Sequence, residues 1–409
     1  MVPDQISKLD LIQARIDVIP SDWQLCKVAK ALNIRNNLRK PISQEVRETI
    51  KGDYPYYGPT KVQGYISKYE QDGTYALIGE DGDHFLKYAT MPQTQYISGK
   101  CTVNNHAHIL ESSEICDAQW FFNYFKHRDI TNFLSRQGAG RFKLNKATLE
   151  KLPMLVPPLQ EQRKIAKILS TWDKAIATTE KLIEASKQQK KSLMQQLLTG
   201  KKRLVNPETG KAFEGEWEEV KVNALITKHS EKTVENKQYP VLTSSRKGIF
   251  FQSDYYNDRD VASEDTTGYN VVPRDYFTYR HMSDDLVFKF NRNTICDKGI
   301  VSTLYPVFSA KEEVVVPYLL QAILNEGSAF KRFSLSQKQG GSRTYMYLSK
   351  LNELTIQIPS ITEQQKIASV LTAADQEIEV LEAKLAHFKQ EKKALMQQLL
   401  TGKRRVNVE

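Results

Sequence analysis

The octapeptide Met-Gln-Gln-Leu-Leu-Thr-Gly-Lys occurs twice in this chain, starting at Met194 and at Met396, an offset of 396 − 194 = 202 residues. Glu161-Gln162 and Glu363-Gln364 share that offset, as do Arg141 and Arg343. Between Glu161 and Arg203 roughly half the positions are identical to those 202 residues later. The segments ahead of the two repeats hardly match. The chain therefore reads as two tandem halves, each a divergent head followed by the same long helix.

The helices follow from their apolar spacing. The first starts near Gln160 and ends at Gly200, a natural left-handed cap. Its seam is Ile165, Leu169, Trp172, Ile176, Thr179, Ile183, Ser186, Lys190, Leu193 and Leu197. The second gives Ile367, Leu371, Ala374, Ile378, Leu381, Leu385, Phe388, Lys392, Leu395 and Leu399. Steps alternate between four and three residues, as a coiled-coil seam requires. Ser360 with Glu363 has capping-box spacing. Each helix, at 1.5 Å per residue, would be ~60 Å long. An apolar stripe of that length needs a partner, and the simplest is the other helix. An antiparallel pair would place the heads at opposite ends, a pseudo-twofold dumbbell.

The first head, from about Asp10 to Val156, mixes β-like runs such as Tyr75-Ala76-Leu77-Ile78 with the turn signals Asp72-Gly73 and Asp81-Gly82. Trp120 to Leu134 reads as one amphipathic helix and Leu149 to Val156 as a closing strand. The second head, from about Gly215 to Ile358, opens with Trp217 and Lys221, echoing Trp23 and Lys27. It closes with Gln339-Gly340 and Arg343, echoing Gln137-Gly138 and Arg141. The expected domains are 1–158, the first helix 159–203, 204–360 and the second helix 361–409. The fold class is α+β.

The net charge of +10 is concentrated in the helices. Gln160 to Arg203 holds 11 Lys/Arg against 4 Asp/Glu, and Thr362 to Arg405 holds 8 against 6. A basic spine suits a polyanion or an acidic partner. Catalytic signatures are missing: no Asn/Asp-Pro-Pro-Tyr methyltransferase motif, no glycine motif for S-adenosylmethionine, and no phosphate-loop spacing around Gly200-Lys201 or Gly210-Lys211. Glu219-Val220-Lys221 reads as an amphipathic strand rather than half a nuclease site. His106 and His108 show no metal spacing, and the four cysteines (Cys26, Cys101, Cys116, Cys296) are scattered. No run nears the ~18 apolar residues of a membrane helix. MVPDQISKLD carries no signal region. The expected setting is a reducing cytoplasm, with no metal or cofactor held by this chain.

Two loops suit nucleic acid. Tyr54 to Tyr65 interleaves aromatics, amides and a cation with turn residues; its candidates for DNA contact are Tyr57, Thr60, Lys61 and Gln63. Thr243, Ser244, Ser245, Arg246 and Lys247, ending at Gly248, offer hydroxyls and cations. Arg141, Arg280, Lys289, Arg292 and Arg343 complete the set. Base edges are read by Gln, Asn, Arg and Lys, while Tyr, Ser and Thr hold phosphates.

With these residues in view, the chain resembles the specificity (S) subunit of type I restriction–modification systems. The resemblance rests on the repeated helix entries, Glu161 to Ala166 and Glu363 to Ala368, on the repeated Leu-Met-Gln-Gln-Leu-Leu-Thr-Gly-Lys exit, and on Tyr56 to Gly82, which is similar to a target-recognition domain of that family. It implies two target-recognition domains, each reading half of a bipartite duplex site, and two helices that set the gap and dock two methyltransferase subunits. S-adenosylmethionine, ATP and Mg would belong to modification and restriction partners. The alternative is a coiled-coil scaffold without sequence-specific DNA reading.

Overall fold

In a computed structural model, residues 5–137, 141–257, 261–338 and 343–407 are described; of Arg136, Gln137 and Arg141 only the backbone is. Gly138, Gln339 and Gly340 of the echoed motif lie outside the described residues. The chain forms two compact units: residues 1–180 with 384–409, and residues 181–383. Long helices run over Leu159–Leu197 and Ile361–Leu399, each of 39 residues. Both are closed by a glycine in the left-handed region, Gly200 at φ +67° and Gly402 at φ +69°.

Unit one is built on a six-stranded sheet in the order Asn33–Ile34, Ala107–Glu111, Gln71–Gly79, Thr94–Val103, Lys51–Tyr57, Val62–Ile66. The central strand explains the unbroken apolar run Tyr75 to Ile78. Successive side chains point to opposite faces, and both faces are covered. Ala76 and Ile78 join the main core, while Tyr75 and Leu77 pack with Ile97, Val103 and Ile109. A second, two-stranded sheet pairs Gln24–Lys27 antiparallel with Pro153–Val156. Trp120 is fully buried beneath it and donates its indole N–H to the Leu155 carbonyl at 2.9 Å.

Unit two repeats that small sheet, with Glu218–Lys221 antiparallel to Thr355–Ile358. A four-stranded sheet follows, ordered Ile226–His229, Val307–Ala310, Phe277–Thr278, Asn291–Arg292. Its core stacks Phe277 on Phe308 at 5.0 Å and takes in Leu319 and Leu320 of the helix Pro317–Glu326. In both units the small sheet leads into a one-turn helix, Val28–Ala31 or Val222–Leu225.

Three local expectations need correction. The helix expected over Trp120 to Leu134 spans only Ala118–Phe125. Beyond it Asp129 accepts both the N–H and the hydroxyl of Thr131, at 3.1 and 2.6 Å, a side-chain turn that competes with helical bonding. The strand expected from Leu149 is Pro153–Val156 alone, because Asn145 caps a helix over Lys146–Lys151 through the Thr148 N–H at 2.9 Å. Glu363 does not close a capping box on Ser360: Arg203 takes its carboxylate.

Candidate nucleic-acid interface

The repeated residues are the ones that tie helix to head. In unit one Glu161 is buried, and its carboxylate accepts from Arg405 Nε and Nη2 at 2.8 and 2.9 Å and from Trp23 Nε1 at 2.9 Å. In unit two Glu363 accepts from Arg203 Nε and Nη2, both at 2.7 Å. Gln162, fully buried, accepts from the Asp117 N–H and donates to the carbonyls of Ile115 and Pro157. Gln364 does the same with Val316, Val314 and Pro359. A buried amide needs all its partners, which is why Glu-Gln recurs unchanged.

Along the helices the seam carries charge as well as apolar groups. In unit one Lys392 pairs with Asp173, and Lys389 with Glu180 at 2.8 Å. In unit two Lys190 pairs with Asp375, and Lys187 with Glu382 at 2.6 Å. Within each unit the numbering of the pairs runs in opposite directions along the two helices, so the segments are antiparallel. Ile165, Leu169, Leu197, Ile367, Leu371 and Leu399 are fully buried. Trp172, Ile176, Leu193, Ile378, Leu385 and Leu395 are half-buried, and Trp172 meets Phe388 edge-on at 5.6 Å. Ile165, Leu169 and Leu399 belong to the unit-one core, and Leu197, Ile367 and Leu371 to that of unit two. In its outer turns the seam therefore packs helix against head.

Beside these pairs each unit has a groove. That of unit one, about 660 Å³, is lined by Lys389, Lys392, Lys393 and Met396 together with His127 and Arg128. That of unit two, about 630 Å³, is lined by Lys187, Lys190, Lys191 and Met194 with Ser328 and Lys331. The four helix residues named for one groove are the repeat partners of the four named for the other.

In the first head the expected loop is a bulged hairpin, Lys51–Tyr57 against Val62–Ile66. Tyr57 is half-buried on the strand, and its carbonyl accepts the Asn104 N–H at 2.9 Å. Thr60 is half-buried in the turn and Lys61 exposed. Gln63 is exposed, with its Oε1 accepting from Asn104 Nδ2 at 3.1 Å. Tyr56 is a core residue, 1% exposed, and burial raises its phenol pKa. Arg141 opens the strand Arg141–Lys143, and its side chain lies outside the described residues.

In the second head Leu242–Ser245 and Gly248–Phe251 form a hairpin with Arg246 and Lys247 exposed at its turn. Thr243 is half-buried. Ser244 is buried, with its hydroxyl donating to the Thr278 carbonyl and accepting from Asn291, so it serves the fold. Ser245 Oγ donates to the Gly248 carbonyl and accepts from the Lys247 N–H, closing the turn. The structure adds carboxylates that sequence reading missed. Asp285 holds Arg246 by two hydrogen bonds at 2.6 and 2.8 Å, Asp284 holds Arg343 at 3.0 Å, and Asp275 lies 3.6 Å from Arg292. Arg246, then Ser283, pull the Asp285 carboxyl down to about 2. Arg280 is exposed, and Lys289 lies 3.5 Å from Glu326. The pair Asp284-Asp285 was the available signal. Among the described residues no cluster of metal-ligating side chains occurs, no disulfide forms, and no helix is long and apolar enough to cross a membrane.

The family model for the type I restriction modification DNA specificity domain matches residues 20–188 and 214–390. The chain is 26% identical over 425 aligned residues to the type I restriction enzyme MjaVIII specificity subunit of Methanocaldococcus jannaschii, covering 95% of this chain and 94% of that one. The Haemophilus influenzae protein S.HindORF215P is 36% identical over 137 residues, so that match spans only 34% of either chain. The crystal structure of the type I restriction–modification S subunit from M. genitalium shares the fold, with a TM-score of 0.58 at 13% identity over 94% of this chain and 97% of that one. With one match on each half and most of the sequence covered, the chain belongs to the type I restriction–modification DNA specificity family.

Proposed function

We propose that this chain carries the address of a type I complex. Residues 1–158 and 204–360 act as target-recognition domains, each reading one half of an asymmetric, bipartite duplex site. Residues 159–203 and 361–409 set the gap between the halves. Dissimilar heads imply dissimilar half-sites, whereas identical halves would imply a palindrome. One observation carries the reading: the residues that tie each helix to its head and pair along the seam (Glu161, Asp173, Glu180, Lys187, Lys190 and Arg203, with their partners at +202) are identical in both repeats, while the hairpins are not. Successive major-groove faces on one side of a duplex lie ~34–36 Å apart, within the reach of a ~60 Å helical spacer.

The chemistry belongs to partners. The paired lysine-rich grooves, alike in both units, suit two copies of one acidic surface, and two methyltransferase subunits are the proposed occupants. They would bring S-adenosylmethionine and flip the target adenine out of the stack. Restriction subunits would add ATP, Mg and cleavage. Cations of this chain set a salt-dependent affinity, and Lys61, Gln63, Arg246, Lys247, Arg280 and Arg343 are the proposed contacts. Selection from a random duplex pool by the chain co-purified with its modification subunit tests this. Two short blocks separated by a fixed undefined gap are expected. A flat pool would favour a scaffold, and a single contiguous motif would mean that one head works alone.

A further inference from the structure

Arg47 is an arginine built into place and left without an anion. Among the described residues of the same unit, Arg15, Arg35 and Arg39 each pair with a carboxylate, in Asp129, Glu111 and Glu80, and Arg128, Arg163 and Arg404 do not. Arg47 has none among the described residues. Its guanidinium lies 4.8 Å from the centre of the Tyr56 ring, its Nη1 donates to the Gln63 carbonyl at 2.7 Å, and its buried Nε has no partner. Tyr56 is itself fixed, donating to the Lys40 carbonyl and accepting from the Ile42 N–H. The guanidinium is therefore held from two sides before any ligand arrives.

It lines an open groove of about 690 Å³ between the short helix Gln44–Thr49 and the hairpin. Lys51 and Lys61 line the same groove, both exposed and without an ion pair among the described residues. Gly64 sits at φ +149°, where a side chain is strained, and an added Cβ would stand 3.9 Å from Arg47 Nη1. The groove is thus kept bare beside the arginine. The one carboxylate lining it, Glu48, is engaged by Gln44 Nε2 at 3.1 Å. Tyr65, 57% exposed, adds a phenol.

We infer that this groove binds the phosphate backbone of duplex DNA, with Arg47 as the anchor and Lys51 and Lys61 as flanking cations. This rests on the reading that the first head docks on DNA. A fixed guanidinium fork matches two phosphate oxygens, and phosphate contacts position a protein without specifying sequence. The groove would hold the head in register while other residues read bases.

The test is DNA binding by the full-length chain with its modification subunit, on the duplex that the wild type selects, across a salt series. Lys51→Gln with Lys61→Gln alters two exposed, unpaired residues, so folding is not at stake. It should weaken binding to every sequence alike and lower the slope of log affinity against log salt by about 2, one per lysine. Arg47→Lys keeps the charge but loses the fork, and should weaken binding with little change of slope. An unchanged slope and affinity in the double variant, beside a wild type that selects its site, would overturn the inference alone. A changed first block in the selected sequence would also overturn it, because the groove would then be reading bases. A wild type that selects nothing would sink the underlying DNA reading instead.

Discussion

Arg405 reaches back across 244 positions to Glu161 and holds its buried carboxylate by two hydrogen bonds, with Trp23 supplying a third. The tail of the chain thereby completes the first head. Arg203 does for Glu363 what Arg405 does for Glu161. Arg405→Ala strips a buried carboxylate of its counter-ion and leaves it one indole donor. A cost of about 2–4 kcal/mol is expected, discounted because Arg405 itself is partly exposed. Urea unfolding would read this, and Glu161→Gln combined with Arg405→Ala should cost less than the two singles summed. A loss below about 0.5 kcal/mol in Arg405→Ala, the scale of an ordinary surface change, would mean that the pair is ornamental.

Arg246 and Lys247 cap the hairpin of the second head, and Asp285 occupies the guanidinium of Arg246. Replacing both cations by Ala should weaken recognition of one half-site and leave the other intact. Equal loss at both halves would count against independent heads. Asp285→Asn should have the opposite sign: it removes the competitor for Arg246, so affinity rises and the salt dependence steepens. Binding curves for the two variants on duplexes with either half-site scrambled would decide both points.

Unit one should lose stability as pH falls below about 6.5, the ordinary value for a histidine. His108 is fully buried; its Nε2–H donates to the Leu144 carbonyl at 2.7 Å and its Nδ1 accepts from Asn36 Nδ2 at 2.8 Å. A second proton would face the Asn36 amide hydrogens. Burial lowers the pKa of His108, and of His84 as well. A folded state that binds protons less readily than the unfolded one is stabilised by rising pH, up to the unfolded value. The stability is therefore full above about 6.5 and declines toward the lowered folded values, by at most about 1.4 kcal/mol per pH unit for each imidazole. The carboxylates with depressed pKa, Asp129 and Asp285 among them, act only at lower pH. Amide exchange in Thr94–Val103 and Ala107–Glu111, followed from pH 7.5 to 5.5, checks this. Protection that is flat or grows on acidification would refute it.

The helices and their repeat were legible because a 202-residue identity and a heptad spacing are both written in one dimension. What links them was not. Asp173 and Lys190 lie on one helix, and each pairs instead with the repeat partner of the other, Lys392 and Asp375. Only folding reveals that exchange. Apart from Glu218–Lys221, expected as a strand at Glu219 to Lys221, the unit-two strands were missed because they are two to four residues long, too short for alternation to register. The acid partners of Arg246, Arg292 and Arg343 sit 17 to 59 residues away in sequence, invisible to any local motif. Arg47 escaped notice as well: its distinction is a guanidinium fixed by the Tyr56 ring and the Gln63 carbonyl, contacts that no local motif announces.

The ruler role of the helices is open to a direct change of length. A four-residue insertion within Ala185 to Lys191 of the first helix alone moves Lys187 and Lys190 out of register with Glu382 and Asp375. Lys190 is the costly one, being only 21% exposed and paired to an aspartate that also accepts from the Tyr318 hydroxyl. A matching four-residue insertion beside Glu382 restores the facing distance and so separates length from stability. Four helical residues add ~6 Å, close to two base pairs at ~3.4 Å each. The doubly extended chain should therefore select the same two half-sites with a gap longer by one to two base pairs, and should bind the original spacing poorly. The single insertion should lower the unfolding midpoint first. An unchanged gap in a well-folded double insertion would remove the helices from the measuring of the site and leave that task to the heads or to the partner subunits.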